Sequence, residues 1–260
     1  MSVEDNGYVK TETHQSITTI EFSHPKGNSL PSKILEQLAS EIHFAGQHAE
    51  TKVIVIKSSG DGIFCAGASF DELITIKNEV EGLKFFSGYA NVINAIRKCP
   101  KFVIGRVQGK CVGGGVGLAA AVDYCIATEK CDIKLSELSI GIGPFVVGPV
   151  IERRIGTSAY SHLAIDATMW RSSDWAKRKG LFAEVHPSTE NMDESIQRLS
   201  NNLSHSSPDA MREMKKVFWK GTENWDELLK ERAAISGKLI LSSYSKNALE
   251  TAGQKKQNYL

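Results

Sequence analysis

Three segments combine small residues, helix-start signals and an acid in ways that suit chemistry on a carbonyl or an anion. The first is Ile63-Phe64-Cys65-Ala66-Gly67-Ala68-Ser69-Phe70-Asp71-Glu72-Leu73. Ser69 with Glu72 three residues on reads as a capping box, which predicts a helix beginning just after Ser69. The small residues ahead of it leave backbone N–H groups uncovered at the positive end of a helix, where an anionic oxygen can bind. A plain capped helix after a tight turn explains the same residues equally well.

The second segment runs from Val107 to Asp123 and holds Gly113, Gly114 and Gly115 in succession before an alanine-rich stretch. Consecutive glycines permit unusual dihedrals and let a ligand approach the backbone closely. Gly105 to Cys111 resembles a phosphate loop but is one residue short, and Cys111 stands where a hydroxyl must reach magnesium. Gly115-x-Gly117-x-x-Ala120 matches the dinucleotide fingerprint, with Glu137 about twenty residues on, but a lone mid-chain match of this kind is weak. Close helix packing, an oxyanion or CoA-type site and a dinucleotide site all stay open for this run.

The third is Ile133-Lys134-Leu135-Ser136-Glu137-Leu138-Ser139-Ile140-Gly141-Ile142-Gly143-Pro144-Phe145. Glu137 is read at the end of a strand among Leu135, Leu138 and Ile140. Burial there disfavours the ionised carboxylate and moves it toward a pKa useful for proton transfer. A satisfied structural acid is the plainer alternative. His14, His24, His43, His48, His162, His186 and His205 are scattered without metal-ligand spacing. Cys65, Cys99, Cys111, Cys125 and Cys131 form no C-x-x-C pair and read as small reduced core residues.

These segments need elements to hold them. Ile17 to Phe22 is rich in β-branched residues, His24 to Asn28 is turn chemistry, and Ile34, Leu35, Leu38 and Ile42 recur at helical spacing after Pro31. Val53-Ile54-Val55-Ile56 is unbroken rather than alternating, as expected of a strand covered on both faces. Strand, helix, strand in about forty residues is a βαβ signature. The spacing predicts a further helix over Val80 to Arg97, a strand at Phe102 to Ile104, and short strands at Tyr124 to Ala127 and Ile133 to Leu135. After Pro144 the chain reads as mostly helical, with helices at Ser172 to Lys179, Asp193 to Leu203, Pro208 to Trp219 and Trp225 to Leu241. A parallel α/β core closed by a helical C-terminal third is the expected architecture.

The composition agrees with one large domain: 260 residues, 41% hydrophobic, and Lys+Arg 31 against Asp+Glu 30 for a formal charge of +1. That balance excludes an electrostatic nucleic-acid binder. No apolar run approaches the ~18 residues that span a bilayer, so no membrane partner is expected. Met1 to Lys10 carries Glu4, Asp5 and Asn6 without an apolar core, which reads as no signal peptide and a cytoplasmic location.

Taken together, the segments resemble the crotonase superfamily, the enoyl-CoA hydratase/isomerase family. The resemblance rests on the turn from His24 to Leu30, the loop from Cys65 to Ala68, Gly109 through Asp123, Glu137 with Ile140, Gly141 and Pro144, and Ala176 to Leu181. It implies an α/β fold with a four-turn ββα spiral core over 1–200. A helical region over 201–260, part of the same structural domain, would serve oligomerisation and act as a lid. It further implies an acyl-CoA thioester substrate, a homotrimer or dimer of trimers, and no separate cofactor, coenzyme A being part of the substrate. The N–H groups of Ala68 and Gly114 take the oxyanion-hole positions and Glu137 that of an acid/base. Lys26, Ala66, Gly67, Phe70, Gly113, Pro144 and Phe145 fall where the family holds its substrate.

The departures from the family pattern carry information of their own. A full hydratase has a second Glu one helical turn beyond the oxyanion glycine, and here that position is Gly117. One carboxylate suffices to move a double bond, whereas adding water loses a partner, so the sequence leans toward isomerisation. The usual Pro-Gly-x-Gly-Gly-Thr stretch is altered to Pro144-Phe145-Val146-Val147-Gly148-Pro149, which predicts a reshaped acyl pocket suited to a short or branched chain. Ser69 replaces a common Asp and keeps the helix cap. The alternatives are a hydratase using Glu137, a catalytically silent acyl-CoA-binding protein and an NAD-dependent oxidoreductase.

Overall fold

Val53-Ile54-Val55-Ile56 is buried on both faces because it lies at the centre of the main sheet. Ile54 and Ile56 face one apolar core, while Val53 and Val55 join Ile104, Ile126, Met192 and Ile196 in a second. The computed structural model describes residues 7–257, with side chains as far as Ala252. The first residues of the Met1 to Lys10 segment, and the last three of the chain, lie outside the described residues.

The element order is β1 (Tyr8–His14), β2 (Ile17–Ser23), α1 (Ser32–Gln47), β3 (Val53–Ser58), α2 (Phe70–Leu73), α3 (Glu79–Lys98), β4 (Phe102–Val107), β5 (Cys111–Val112), α4 (Gly114–Ala121), β6 (Tyr124–Thr128), β7 (Ile133–Lys134), α5 (Gly148–Ile165), α6 (Ser173–Arg178), β8 (Glu184–His186), α7 (Thr189–Ser204), α8 (Pro208–Phe218), α9 (Trp225–Leu239) and α10 (Ser243–Gln257). A 3₁₀ turn spans Glu137–Ile140.

The large sheet has the order β1-β2-β3-β4-β6-β8, antiparallel at β1/β2 and parallel elsewhere. Beyond each inner strand the chain makes a short pairing in a second layer and then enters a helix. Leu30 bridges Ala68, Cys65 bridges Cys111, and β5 pairs with β7, all in parallel. The unit of strand, second-layer segment and helix therefore recurs four times, ending in α1, α3, α4 and α5. This is the ββα spiral that the family resemblance implies.

Several elements departed from the sequence expectation for identifiable reasons. The β1–β2 hairpin turns through Gln15 (φ 48°) and Ser16 (φ 65°), a geometry usually announced by Asn or Gly. Helix α5 was not expected as one element, and Gly156 (φ 76°, ψ 159°) interrupts its helical backbone. The helix after Ser69 is a single turn, and only half of the capping box forms. Ser69 accepts from the Glu72 N–H at 3.4 Å, whereas the Glu72 carboxylate accepts from the N–H and Oγ of Ser32, at 2.9 and 2.7 Å, and so caps α1 instead.

The C-terminal helices are anchored directly to the spiral. Helix α9 lies on α3 so closely that a β-carbon at Gly82 would come within 2.6 Å of Gly237 Cα. Helix α8 is tied to the sheet through Asp123, whose carboxylate accepts from the Val103 N–H (2.8 Å), Lys215 Nζ (2.7 Å) and Trp219 Nε1 (3.0 Å). Among the described residues no helix is long and apolar enough to cross a membrane.

Candidate functional site

The second-layer crossings leave a cavity of ≈ 250 Å³ where the loops after β2, β3, β5 and β7 converge. All ten residues singled out by the sequence line it: Lys26, Ala66, Gly67, Ala68, Phe70, Gly113, Gly114, Glu137, Pro144 and Phe145. The structure thus brings into one wall residues spread over about 120 positions.

The backbone at two of the glycines explains how. Gly67 adopts φ +89° and Gly113 φ +52°, a region costly for residues bearing a β-carbon. A β-carbon on Gly67 would stand 2.9 Å from the Val112 carbonyl and 3.6 Å from the Gly114 nitrogen, so the two loops meet nearly backbone to backbone. The hydrogen-bonded neighbours are accounted for: Leu30 N–H donates to Gly67 O, Ser69 N–H to Leu30 O, and Gly113 N–H to Lys134 O. The N–H groups of Ala68 and Gly114 have no acceptor within the described residues. Two unengaged amides on residues that line one cavity form a donor pair able to hold a carbonyl oxygen.

Glu137 sits in the 3₁₀ turn that begins two residues after β7, just past the end of the strand where the sequence puts it. The turn aims its carboxylate back at the start of α4, where a β-carbon on Gly113 would lie 2.8 Å from Glu137 Oε1. Oε2 is buried and has no hydrogen-bond partner. Burial pushes the Glu137 carboxyl up to about 7, outweighing the opposing effect of its own backbone N–H. Glu137 is the single carboxylate among the described residues lining the cavity, so near neutral pH the site holds one acid/base poised between its two forms.

The position expected to hold a second acid in hydratases is occupied by packing. A β-carbon at Gly117 would lie 2.3 Å from Val147 Cγ1, and Val147 itself lines the cavity with Phe145, Val146, Ile140 and Ile142. Gly115 likewise faces the Cys65 carbonyl, 2.5 Å from where its β-carbon would be. The glycines of the dinucleotide-like fingerprint therefore seat helix α4, every residue of which is buried. Asp71 forms an ion pair with the exposed Lys26 rather than facing the cavity.

Sequence reasoning missed Tyr89. It is 5% exposed, lines the cavity, and places its ring tip where a β-carbon on Gly114 would go, 2.4 Å from Oη. Its hydroxyl makes no hydrogen bond of ordinary geometry, and its neighbour is the Cys65 thiol, a weak acceptor. A tyrosine on the helix face that also carries Phe85, Phe86 and Ile93 reads as core; only its polar tip hinted otherwise. Cys65 lies behind this wall, and burial pushes its thiol up to about 12, which makes it a poor nucleophile. Among the described residues no cluster of His, Cys, Asp and Glu could hold a metal ion.

A family model described as enoyl-CoA hydratase/isomerase matches residues 12–252. Human mitochondrial methylglutaconyl-CoA hydratase is 28% identical over 86% of this chain and 67% of its own length. A probable enoyl-CoA hydratase of Bacillus subtilis (strain 168) is 30% identical over 55% of this chain and 56% of its own. Human mitochondrial 3-hydroxyisobutyryl-CoA hydrolase is 32% identical over 53% of this chain and 37% of its own. This chain thus spans about two thirds or less of the length of these curated relatives. In three dimensions the chain is similar to an enoyl-CoA hydratase from Bacillus halodurans, with a TM-score of 0.87 at 21% identity, covering 94% of this chain and 99% of the other. That likeness carries the fold.

Proposed function

The chain belongs to the enoyl-CoA hydratase/isomerase family, whose members act on CoA thioesters, and we propose that it moves a carbon–carbon double bond within an enoyl-CoA through a thioester enolate. In this reading the unengaged N–H groups of Ala68 and Gly114 receive the thioester oxygen. Ionised Glu137 takes a proton from the carbon next to the thioester of a 3-enoyl-CoA. The electron pair delocalises onto the oxygen, where the two amides stabilise the negative charge, and the protonated Glu137 returns its proton to the fourth carbon to give the 2-enoyl-CoA. Atoms and charge balance with a single acid/base, and losing one oxyanion donor would cost roughly 3 kcal/mol of transition-state stabilisation.

The observation that carries the choice of isomerisation over hydration is Val147 standing over Gly117, which leaves Glu137 as the one carboxylate at the cavity among the described residues. The apolar wall of Phe145, Val146 and Val147 supports a short or branched acyl chain. A cytoplasmic location and assembly into trimers belong to the same proposal. Purified protein assayed in parallel with 3-enoyl-CoA and 2-enoyl-CoA substrates should convert the former faster. Hydration as fast as isomerisation, and undiminished in Glu137→Gln, would overturn the assignment.

The relatives supply one alternative, since a protein named as a methylglutaconyl-CoA hydratase is among them. Under that reading Glu137 alone activates water, and the same pair of substrates separates the two.

A further inference from the structure

Among the described residues four buried side-chain oxygens make no hydrogen bond of ordinary geometry, and two of them, Tyr89 Oη and Glu137 Oε2, belong to residues that line this one cavity. An unpaired buried hydroxyl costs on the order of 1–3 kcal/mol, and the Cys65 thiol beside Tyr89 is only a weak acceptor, so a stronger acceptor brought from outside the chain would satisfy it. The two groups flank successive residues: Glu137 Oε1 faces Gly113, and Tyr89 Oη faces Gly114, the residue whose free N–H is one of the oxyanion donors. The ring is fixed in place. It is 5% exposed on α3, on the buried face that also carries Phe85 and Phe86, and Gly114 has no side chain where the ring tip lies.

We propose that Tyr89 is a further catalytic residue, its hydroxyl donating a hydrogen bond to the thioester oxygen beside the Gly114 amide, as a third donor to the developing enolate. The proposal rests on the enolate chemistry put forward above. Burial, then the neighbouring Cys65 and Glu137, hold the Tyr89 hydroxyl well above its ordinary pKa, so it stays protonated and can only donate to the oxygen. These are also the titratable groups that face it; the remaining walls near it are apolar or backbone. A third donor would compensate for the missing second carboxylate by lowering the energy of the enolate rather than by handling another proton.

The test uses acetoacetyl-CoA, a 3-oxoacyl thioester whose enolate absorbs in the ultraviolet, bound to the full-length protein across a pH series. Wild type should lower the pH at which the bound thioester ionises. Tyr89→Phe should raise that midpoint by about one pH unit or more and slow isomerisation about 100-fold, with thermal stability equal to or above wild type. If wild type leaves the probe's ionisation unchanged, the enolate reading fails and this proposal with it. If wild type shifts it and Tyr89→Phe shifts it equally, the enolate reading stands and Tyr89 is only a packing residue. Loss of stability in Tyr89→Phe with unchanged turnover would overturn the proposal as well.

Discussion

Val147 stands over Gly117, with its Cγ1 2.3 Å from where a β-carbon on the glycine would lie. The absent acid is thus not a gap in the wall but a position filled from the other side, and restoring it needs both residues changed. Gly117→Glu alone should destabilise the protein by about 1–3 kcal/mol through overpacking. Because Val147 Cβ is also within 2.6 Å, Val147→Gly is the change that makes room. The double variant should recover part of the loss in chemical denaturation and hydrate 2-enoyl-CoA about tenfold faster than wild type.

Glu137 should make the fold less stable as pH rises. Its carboxyl is raised from 4.5 to about 7, so between these values the folded state binds more protons than the unfolded chain. Stability from this group is therefore fully present below about pH 4.5 and is lost as pH climbs through 7, a difference of at most about 3 kcal/mol. Glu137→Gln should melt above wild type at pH 8 by several degrees and show little difference at pH 5. The catalytic sign is opposite: kcat/KM for isomerisation should rise through pH 7 as the base ionises.

Gly113→Ala should damage turnover more than binding. The new β-carbon would lie 2.8 Å from Glu137 Oε1 and would occupy φ +52°, a strain of roughly 1–3 kcal/mol. Moving the carboxylate away from its proton should lower kcat at least about tenfold, with acyl-CoA binding by calorimetry within a few-fold of wild type.

Lys215→Met should unfold the protein at lower denaturant. Lys215 and Asp123 are a buried pair, their side chains 3% and 7% exposed, and removing the cation leaves Asp123 with the Val103 and Trp219 donors alone. Breaking such a pair costs about 3–5 kcal/mol. A loss below about 1 kcal/mol in urea titration would show that α8 is held mainly by its apolar contacts.

Much of the site was legible because its determinants are local. The doubly buried strand Val53–Ile56, the glycines before α4, and an acid among aliphatic residues each leave a signature in consecutive positions, and all ten marked residues meet at the cavity. What escaped depends on contacts across the fold. Glu72 caps α1, some forty residues away, instead of its own helix, and the β1–β2 turn uses Gln15 and Ser16 where a glycine signal would be looked for. Tyr89 looks like core on its own helix, and only its meeting with Gly114 gives its hydroxyl a place in the chemistry. The strand expected at Ile133 to Leu135 is present as the two-residue β7, and the 3₁₀ turn that carries Glu137 just beyond it has no periodicity to announce it.

The account stands on proton abstraction by Glu137 next to a thioester. Incubating the protein in deuterium oxide with an enoyl-CoA and following the deuterium by mass spectrometry and NMR measures that step directly. Wild type should exchange hydrogen on the carbon next to the thioester faster than the overall conversion, and Glu137→Gln should lose that exchange by about 100-fold or more. Exchange that persists in Glu137→Gln, or turnover by wild type with no deuterium entering that carbon, would contradict it.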